Sequence, residues 1–167
     1  MNEGACSILL VDDNGNDREL LRRFFTAAGF EAACAPGGEE ALRLLEERQP
    51  DVLITDLNMP EIDGLQLSLM ARSILPDISV VLITADVTPE LAPLARRAGI
   101  CAIFSKPLDL RRLHALVKEE KRKRDLARTG KSGTPSAAWG CWTCPVCGTP
   151  HQGWSPINIC AKCGFKD

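Results

Sequence analysis

The sequence predicts an α/β chain in which a five-stranded, parallel, doubly wound sheet is covered by helices on both faces and followed by a small metal-stapled appendage. Three observations carry this. Short apolar runs alternate with segments of helical period across residues 6–127. Acidic, hydroxyl and lysine residues stand where those runs end. Two Cys-x-x-Cys pairs, Cys144/Cys147 and Cys160/Cys163, lie beyond a break rich in small and polar residues.

The elements follow in order. Ser7–Val11 is an apolar run that stops at Asp12-Asp13. Segment 16–28 repeats Leu20, Leu21, Phe24 and Ala28 at helical spacing, and Gly29 suits the position after a helix end. Glu31–Ala35 reads as a weak strand. Segment 39–47 sets Ala41, Leu42 and Leu45 on one helical face. Residues 52–55 form a buried strand running into Asp56, and 64–73 are helical. Residues 79–83 are a strand of Val, Leu and Ile. Segment 89–98 is a helix with Pro89 near its start and Gly99 after it. The last strand is 102–104, and Asp109 caps a helix reaching to about residue 127. Continuous apolar strands alternating with helices argue for a sheet buried on both faces.

Hydrophobic residues make up 45% and charged residues 25%, the composition of a soluble globular protein. Residues 1–117 carry 11 Lys/Arg against 18 Asp/Glu, whereas 118–131 carry 7 against 3. The acidic part is a poor partner for nucleic acid, and a short basic segment follows it. No basic stretch precedes an apolar one near Met1, and no apolar run has the length of a membrane span, so the expected location is cytoplasmic, with no membrane partner. Cys6, Cys34 and Cys101 lie in or beside apolar segments and read as reduced, packed thiols.

In open α/β sheets, chemistry gathers at the carboxyl ends of the strands. Those ends hold Asp12, Asp13, Asp56, Thr84 and Lys106. Converging carboxylates repel one another unless a cation is present, and hard oxygen donors favour Mg²⁺. A hydroxyl and an ammonium complete a site suited to a phosphoryl group, with an Asp able to act as nucleophile.

Residues 6 to about 127 resemble the receiver domain of two-component response regulators. The resemblance rests on Asp12-Asp13, on the stretch from Asp56 through Asn58, Met59, Pro60 and Asp63 to Gly64, on Thr84-Ala85 and on Ser105-Lys106-Pro107. It implies a flavodoxin-like sheet of strand order 2-1-3-4-5. It further implies that Asp56 accepts the phosphoryl group and that Asp13, Asp56 and the backbone carbonyl of Asn58 bind Mg²⁺, with Asp12 acting through water. Thr84 would swing toward the phosphoryl oxygens, Lys106 would pair with them, and the Lys106–Pro107 bond would be cis. One departure is Ile103, which stands where the family usually has Tyr or Phe; Phe104 is one place off and faces the other side of the strand. The resemblance implies a signalling protein, not an enzyme with its own substrate. It would take a phosphoryl group from a histidine kinase or phosphotransfer protein and assist its own phosphorylation and dephosphorylation. A phosphorylation-dependent homodimer is a further expectation.

Residues 128–138 read as a flexible linker and 139–167 as the appendage. Cys144-Pro-Val-Cys147-Gly and Cys160-Ala-Lys-Cys163-Gly resemble the knuckles of a zinc ribbon, with glycine permitting the tight turn around the sulfurs. Zn²⁺ is the expected ion and rubredoxin-like iron its rival. Cys141 reads as a non-ligand because only the pair beginning at Cys144 carries the Pro and Gly of a knuckle; an iron–sulfur cluster using it is the alternative. His151 reads as an exposed loop residue. Trp139, Trp142 and Trp154 either cover the metal's apolar side or include an anchor for a protein partner. Four thiolates leave no open coordination position, so the ion is expected to be structural.

Gly130-Lys131-Ser132 imitates a phosphate-binding loop, but Asp125 stands where its earlier glycine belongs. His114 reads as a helix-surface or half-buried residue. The basic run 118–131 complements the end of the last helix and forms a solvated face. The leading expectation is therefore a response regulator that signals through the ribbon to a protein partner. The alternatives are a DNA-binding transcriptional regulator using the basic helix end and the ribbon, and a redox- or metal-sensing regulator.

Overall fold

The computed structural model describes residues 6–128 and the pairs 142–143 and 150–151. Five strands, β1 (Ser7–Val11), β2 (Glu31–Ala35), β3 (Val52–Asp56), β4 (Ser79–Thr84) and β5 (Ala102–Ser105), alternate with five helices. These are α1 (Gly15–Ala27), α2 (Gly38–Arg48), α3 (Gly64–Ile74), α4 (Leu91–Arg97) and α5 (Leu110–Arg128). The sheet runs β2-β1-β3-β4-β5 with every neighbouring pair parallel, the expected order.

The twofold alternation of each strand splits the core into two layers. Ile8 and Leu10 of β1 join Leu21 and Phe25 of α1, Ile54, Phe104, and Leu113 and Val117 of α5 on one face. Leu9 and Val11 join Ala41 and Leu45 of α2, Leu53, and Leu67 and Ala71 of α3 on the other. Phe104 is buried in the α1/α5 layer while Ile103 is half-buried, as the strand alternation requires. His114 is half-buried too, edge-on to Phe24 and Phe30.

Boundaries shift at informative places. Strands β3, β4 and β5 each run one residue further than the apolar patterns, so Asp56 and Thr84 are themselves the last ladder residues of their strands. Helix α4 starts at Leu91 rather than at residue 89, because Leu91 N–H donates to the Thr88 carbonyl three residues back and closes the entry as a turn. Helix α5 continues through Arg128, taking the first residue of the expected linker.

The basic end of α5 is less of a free surface than its composition suggests. Glu120 is buried: its carboxylate accepts from the Ser79 hydroxyl at 2.8 Å and from Lys123 at 2.7 Å. Arg124 donates to the Asp51 carbonyl, and Asp51 in turn accepts from the Ser7 amide at 3.1 Å. These contacts latch the second half of α5 to the amino ends of β1, β3 and β4, opposite the end carrying Asp56. Ser79→Ala is expected to cost about 1–2 kcal/mol, because it strips a hydroxyl donor from a buried carboxylate. A lower midpoint in chemical denaturation checks this, and an unchanged midpoint would refute it.

Cys6, Cys34 and Cys101 are free thiols, as expected. Burial first, then the charge of Asp51, pushes the Cys6 thiol up to about 12, and burial with Glu120 does the same for Cys101, so neither is poised as a thiolate. Among the described residues no helix is long and apolar enough to cross a membrane. The pairs Trp142–Thr143 (β6) and Pro150–His151 (β7) form a two-stranded antiparallel ladder. Cys141, Cys144, Cys147, Cys160 and Cys163, with residues 129–138 of the expected linker, lie outside the described residues.

Candidate functional site

Each strand delivers its residue to the same end of the sheet because parallel strands share one direction. Asp12, just past β1, is 3% exposed, and Asp56, closing β3, is 8% exposed, while Asp13 is open to solvent. All three can offer one carboxylate oxygen within 4.8 Å of one another. Their spacing follows from the ladder, in which β1 and β3 are direct neighbours.

Three further groups shape the cluster. The Asn14 amide donates to Asp12 Oδ1 at 2.8 Å, and the Asn58 amide lies 3.4 Å from Asp56 Oδ1. Lys106 Nζ contacts Asp12 Oδ2 at 3.2 Å and Asp56 Oδ2 at 3.1 Å. The Lys106 amide donates to the Thr84 carbonyl at 2.9 Å, and the Lys106–Pro107 bond is cis, as the resemblance implies.

Thr84 is fully buried and faces its own loop. Its hydroxyl donates to the Asp86 carbonyl and accepts from the Asp86 amide, each at 3.1 Å.

The sequence reading missed Asp17. It lies in the first turn of α1 and reaches Lys106 Nζ at 3.0 Å, the shortest of that ammonium's three contacts. It also missed Arg18, whose guanidinium donates to the Asp12 carbonyl at 2.6 Å and pins α1 to the tip of β1. The Asp-Arg pair at the start of a helix beside an acidic strand end was the available signal, but an acidic first turn is equally explained by the helix dipole.

The charges set the chemistry. Burial pushes the Asp12 carboxyl above its usual range, and nearby Asp56 adds to this; the Asn14 amide and Lys106 oppose it. Burial alone would lower Lys106, but hydrogen bonds to Asp17 and Asp56 and the charges of Asp12 and Asp56 outweigh it, so the ammonium is held charged. Three carboxylates against one ammonium leave an excess of negative charge carried by hard oxygens. That donor set fits Mg²⁺, and exposed Asp13 leaves room for the waters such an ion retains.

A family model described as the response regulator receiver domain matches residues 8–118. The chain is 35% identical over 137 residues to regulatory protein AtoC of Escherichia coli (strain K12), covering 80% of this chain and 30% of that protein. It is 34% identical over 136 residues to transcriptional regulatory protein PrrA of Mycobacterium tuberculosis, covering 80% of this chain and 58% of that one. The chain thus spans less than three-fifths of these curated relatives. Among solved structures, a response regulator receiver protein from Pseudomonas putida superposes with a TM-score of 0.64 at 32% identity, over 70% of this chain and 98% of that one. The chemotaxis protein CheY4 of Vibrio cholerae gives 0.66 at 25% identity, over 70% and 98%. With its strand order, its acidic strand ends and these likenesses together, the chain belongs to the response regulator receiver domain family.

Proposed function

We propose that this protein is a response regulator of a two-component phosphorelay, with Asp56 as phosphoacceptor. The observation that carries this is the meeting of Asp12, Asp13 and Asp56 with Lys106 at one sheet end. An Asp56 carboxylate oxygen attacks the phosphorus of a phosphohistidine on a histidine kinase or phosphotransfer protein. The new P–O bond forms an acyl phosphate as the P–N bond breaks, and the electron pair leaves with the imidazole. Lys106 turns from the carboxylates to pair with the phosphoryl oxygens, and the Thr84 hydroxyl leaves Asp86 to donate to another. Mg²⁺, held by Asp13, Asp56 and the Asn58 carbonyl with Asp12 behind a water, would supply charge neutralisation at the phosphoryl group. Labelling by a small phosphodonor in Mg²⁺, erased by hydroxylamine as an acyl phosphate is, tests this; no label would overturn it.

The output we assign to residues 139–167 as a Cys₄ zinc ribbon on Cys144, Cys147, Cys160 and Cys163. Its support is the two Cys-x-x-Cys-Gly pairs of the sequence, together with the antiparallel pairing of β6 with β7, which stand on either side of the first pair along the chain. Metal analysis of purified protein should give about one zinc per chain, with loss on Cys144→Ser. A content far below that, or iron in its place, would sink the assignment.

That the relative PrrA is a transcriptional regulatory protein favours a second reading, a DNA-binding transcriptional regulator using the basic helix end and the ribbon. Against it, Arg122, Lys123 and Arg124 of the basic run pair with Glu119, Glu120 and Asp51. A protein partner for the ribbon is therefore the reading preferred. Bait experiments in nuclease-treated lysate, with and without a beryllofluoride mimic of the phosphoryl group, separate the two. Retention that survives nuclease and changes with the mimic favours a protein, and retention lost on nuclease favours nucleic acid.

A further inference from the structure

Lys106 is tied to three carboxylates, and only two of them belong to the group that fits a metal ion. An ammonium has three donors, so Asp12, Asp17 and Asp56 together saturate it. Asp17 comes from a different element, the first turn of α1, and that turn is fixed independently of the lysine. Asn14 caps it by accepting from the Asn16 amide at 3.0 Å, and Arg18 anchors it to the Asp12 carbonyl. Asp17 is therefore presented to Lys106 by the scaffold, with its side chain 38% exposed.

We propose that Asp17 is a positioning residue of the phosphoacceptor site, holding the Lys106 ammonium toward α1 so that Asp12 and Asp56 remain available to a divalent cation. The inference rests on the Mg²⁺-dependent phosphoacceptor reading given above. Lys106 and the cation compete for the same two carboxylates, because the lysine occupies Oδ2 of both Asp12 and Asp56. Asp17 engages one ammonium proton from outside the cluster and draws the lysine away from that competition. Its own negative charge also favours a cation nearby. Removing it therefore weakens cation binding twice over, by freeing the lysine to settle on Asp12 and Asp56 and by deleting a charge.

Calorimetric titration with Mg²⁺ alone, on the full chain without phosphodonor, tests this. Asp17→Asn should weaken Mg²⁺ binding by roughly fivefold or more, the scale of one partly screened charge interaction, and Asp17→Glu should recover most of it. Glu19→Gln is the control: it makes the same charge change on the same helix, but Glu19 pairs with Arg22 and Arg23 and does not touch Lys106. In a Lys106→Met background the Asp17→Asn step should lose the part that runs through the lysine and keep only that of the deleted charge, whereas a purely electrostatic or structural role would leave the step undiminished. Thermal midpoints in EDTA establish that each variant is folded. If Asp17→Asn binds Mg²⁺ like Glu19→Gln while wild type is still labelled on Asp56, the positioning role is overturned and the phosphoacceptor reading stands. If wild type neither binds Mg²⁺ nor takes up label, both fall.

Discussion

Asp56→Asn is expected to remove all detectable phosphate incorporation from a small phosphodonor in Mg²⁺ while the protein stays folded. The amide cannot act as the attacking oxygen anion, and neither neighbour of Asp56 along the chain, Thr55 or Leu57, offers a carboxylate in its place. Asp12 is buried, with one oxygen on the Asn14 amide and the other on Lys106. Asp13 is exposed and Asp17 holds Lys106 from α1. The substitution keeps shape and burial, so its cost to folding is small. It loses the charge of the Lys106 contact but relieves repulsion from Asp12 and Asp13. Intact mass after incubation reads the label and thermal melting reads the fold. Label that persists in a folded variant would move the acceptor to Asp13 or Asp12.

Gly64→Ala is expected to be the most damaging single-methyl change in the receiver. Gly64 is buried at the start of α3, directly behind Asp56, and its amide donates to the Leu57 carbonyl at 2.9 Å. An added Cβ would run into the Asp56 carbonyl, and would meet Leu82 Cδ1 at 2.7 Å and Leu57 Cα at 3.0 Å. Two of those neighbours are backbone in a strand end and its loop, which cannot turn aside as a side-chain tip can. Overpacking of this kind costs about 3 kcal/mol, a drop in melting temperature of roughly 10 °C for a domain of this size. Because Asp56 must shift, labelling should fall as well. Gly37→Ala is the comparison: nothing lies within 4 Å of its added Cβ, so its effect should stay within about 1 kcal/mol. Equal melting temperatures for the two variants would refute the packing argument.

Much of the site was legible because a parallel sheet converts sequence position into spatial position. An apolar run ending in Asp, Thr or, after Ser105, Lys places that residue at the same sheet end, and Asp12, Asp13, Asp56, Thr84 and Lys106 all obey this rule. The limits of the strands were less legible. Asp56 and Thr84 belong to the ladder although they break the apolar pattern, since backbone pairing continues past the last hydrophobic side chain. The solvated reading of the basic run was only partly right, because Glu120 and Arg124 dock on residues 41 and 73 positions away.

Composition and order along the chain were enough to determine the parallel sheet, its two buried faces, and the carboxylates and lysine gathered at one end. These depend on local periodicity and on the shared direction of the strands, both written in consecutive residues. Tertiary structure alone decided that Asp17 shares Lys106 with Asp12 and Asp56, that Thr84 rests on Asp86, and that Ser79 and Asp51 hold the far half of α5. Each of these joins polar groups from different elements or loops. Their partners are fixed by how helices dock on the sheet and how loops close over its ends, which no local pattern of residues encodes.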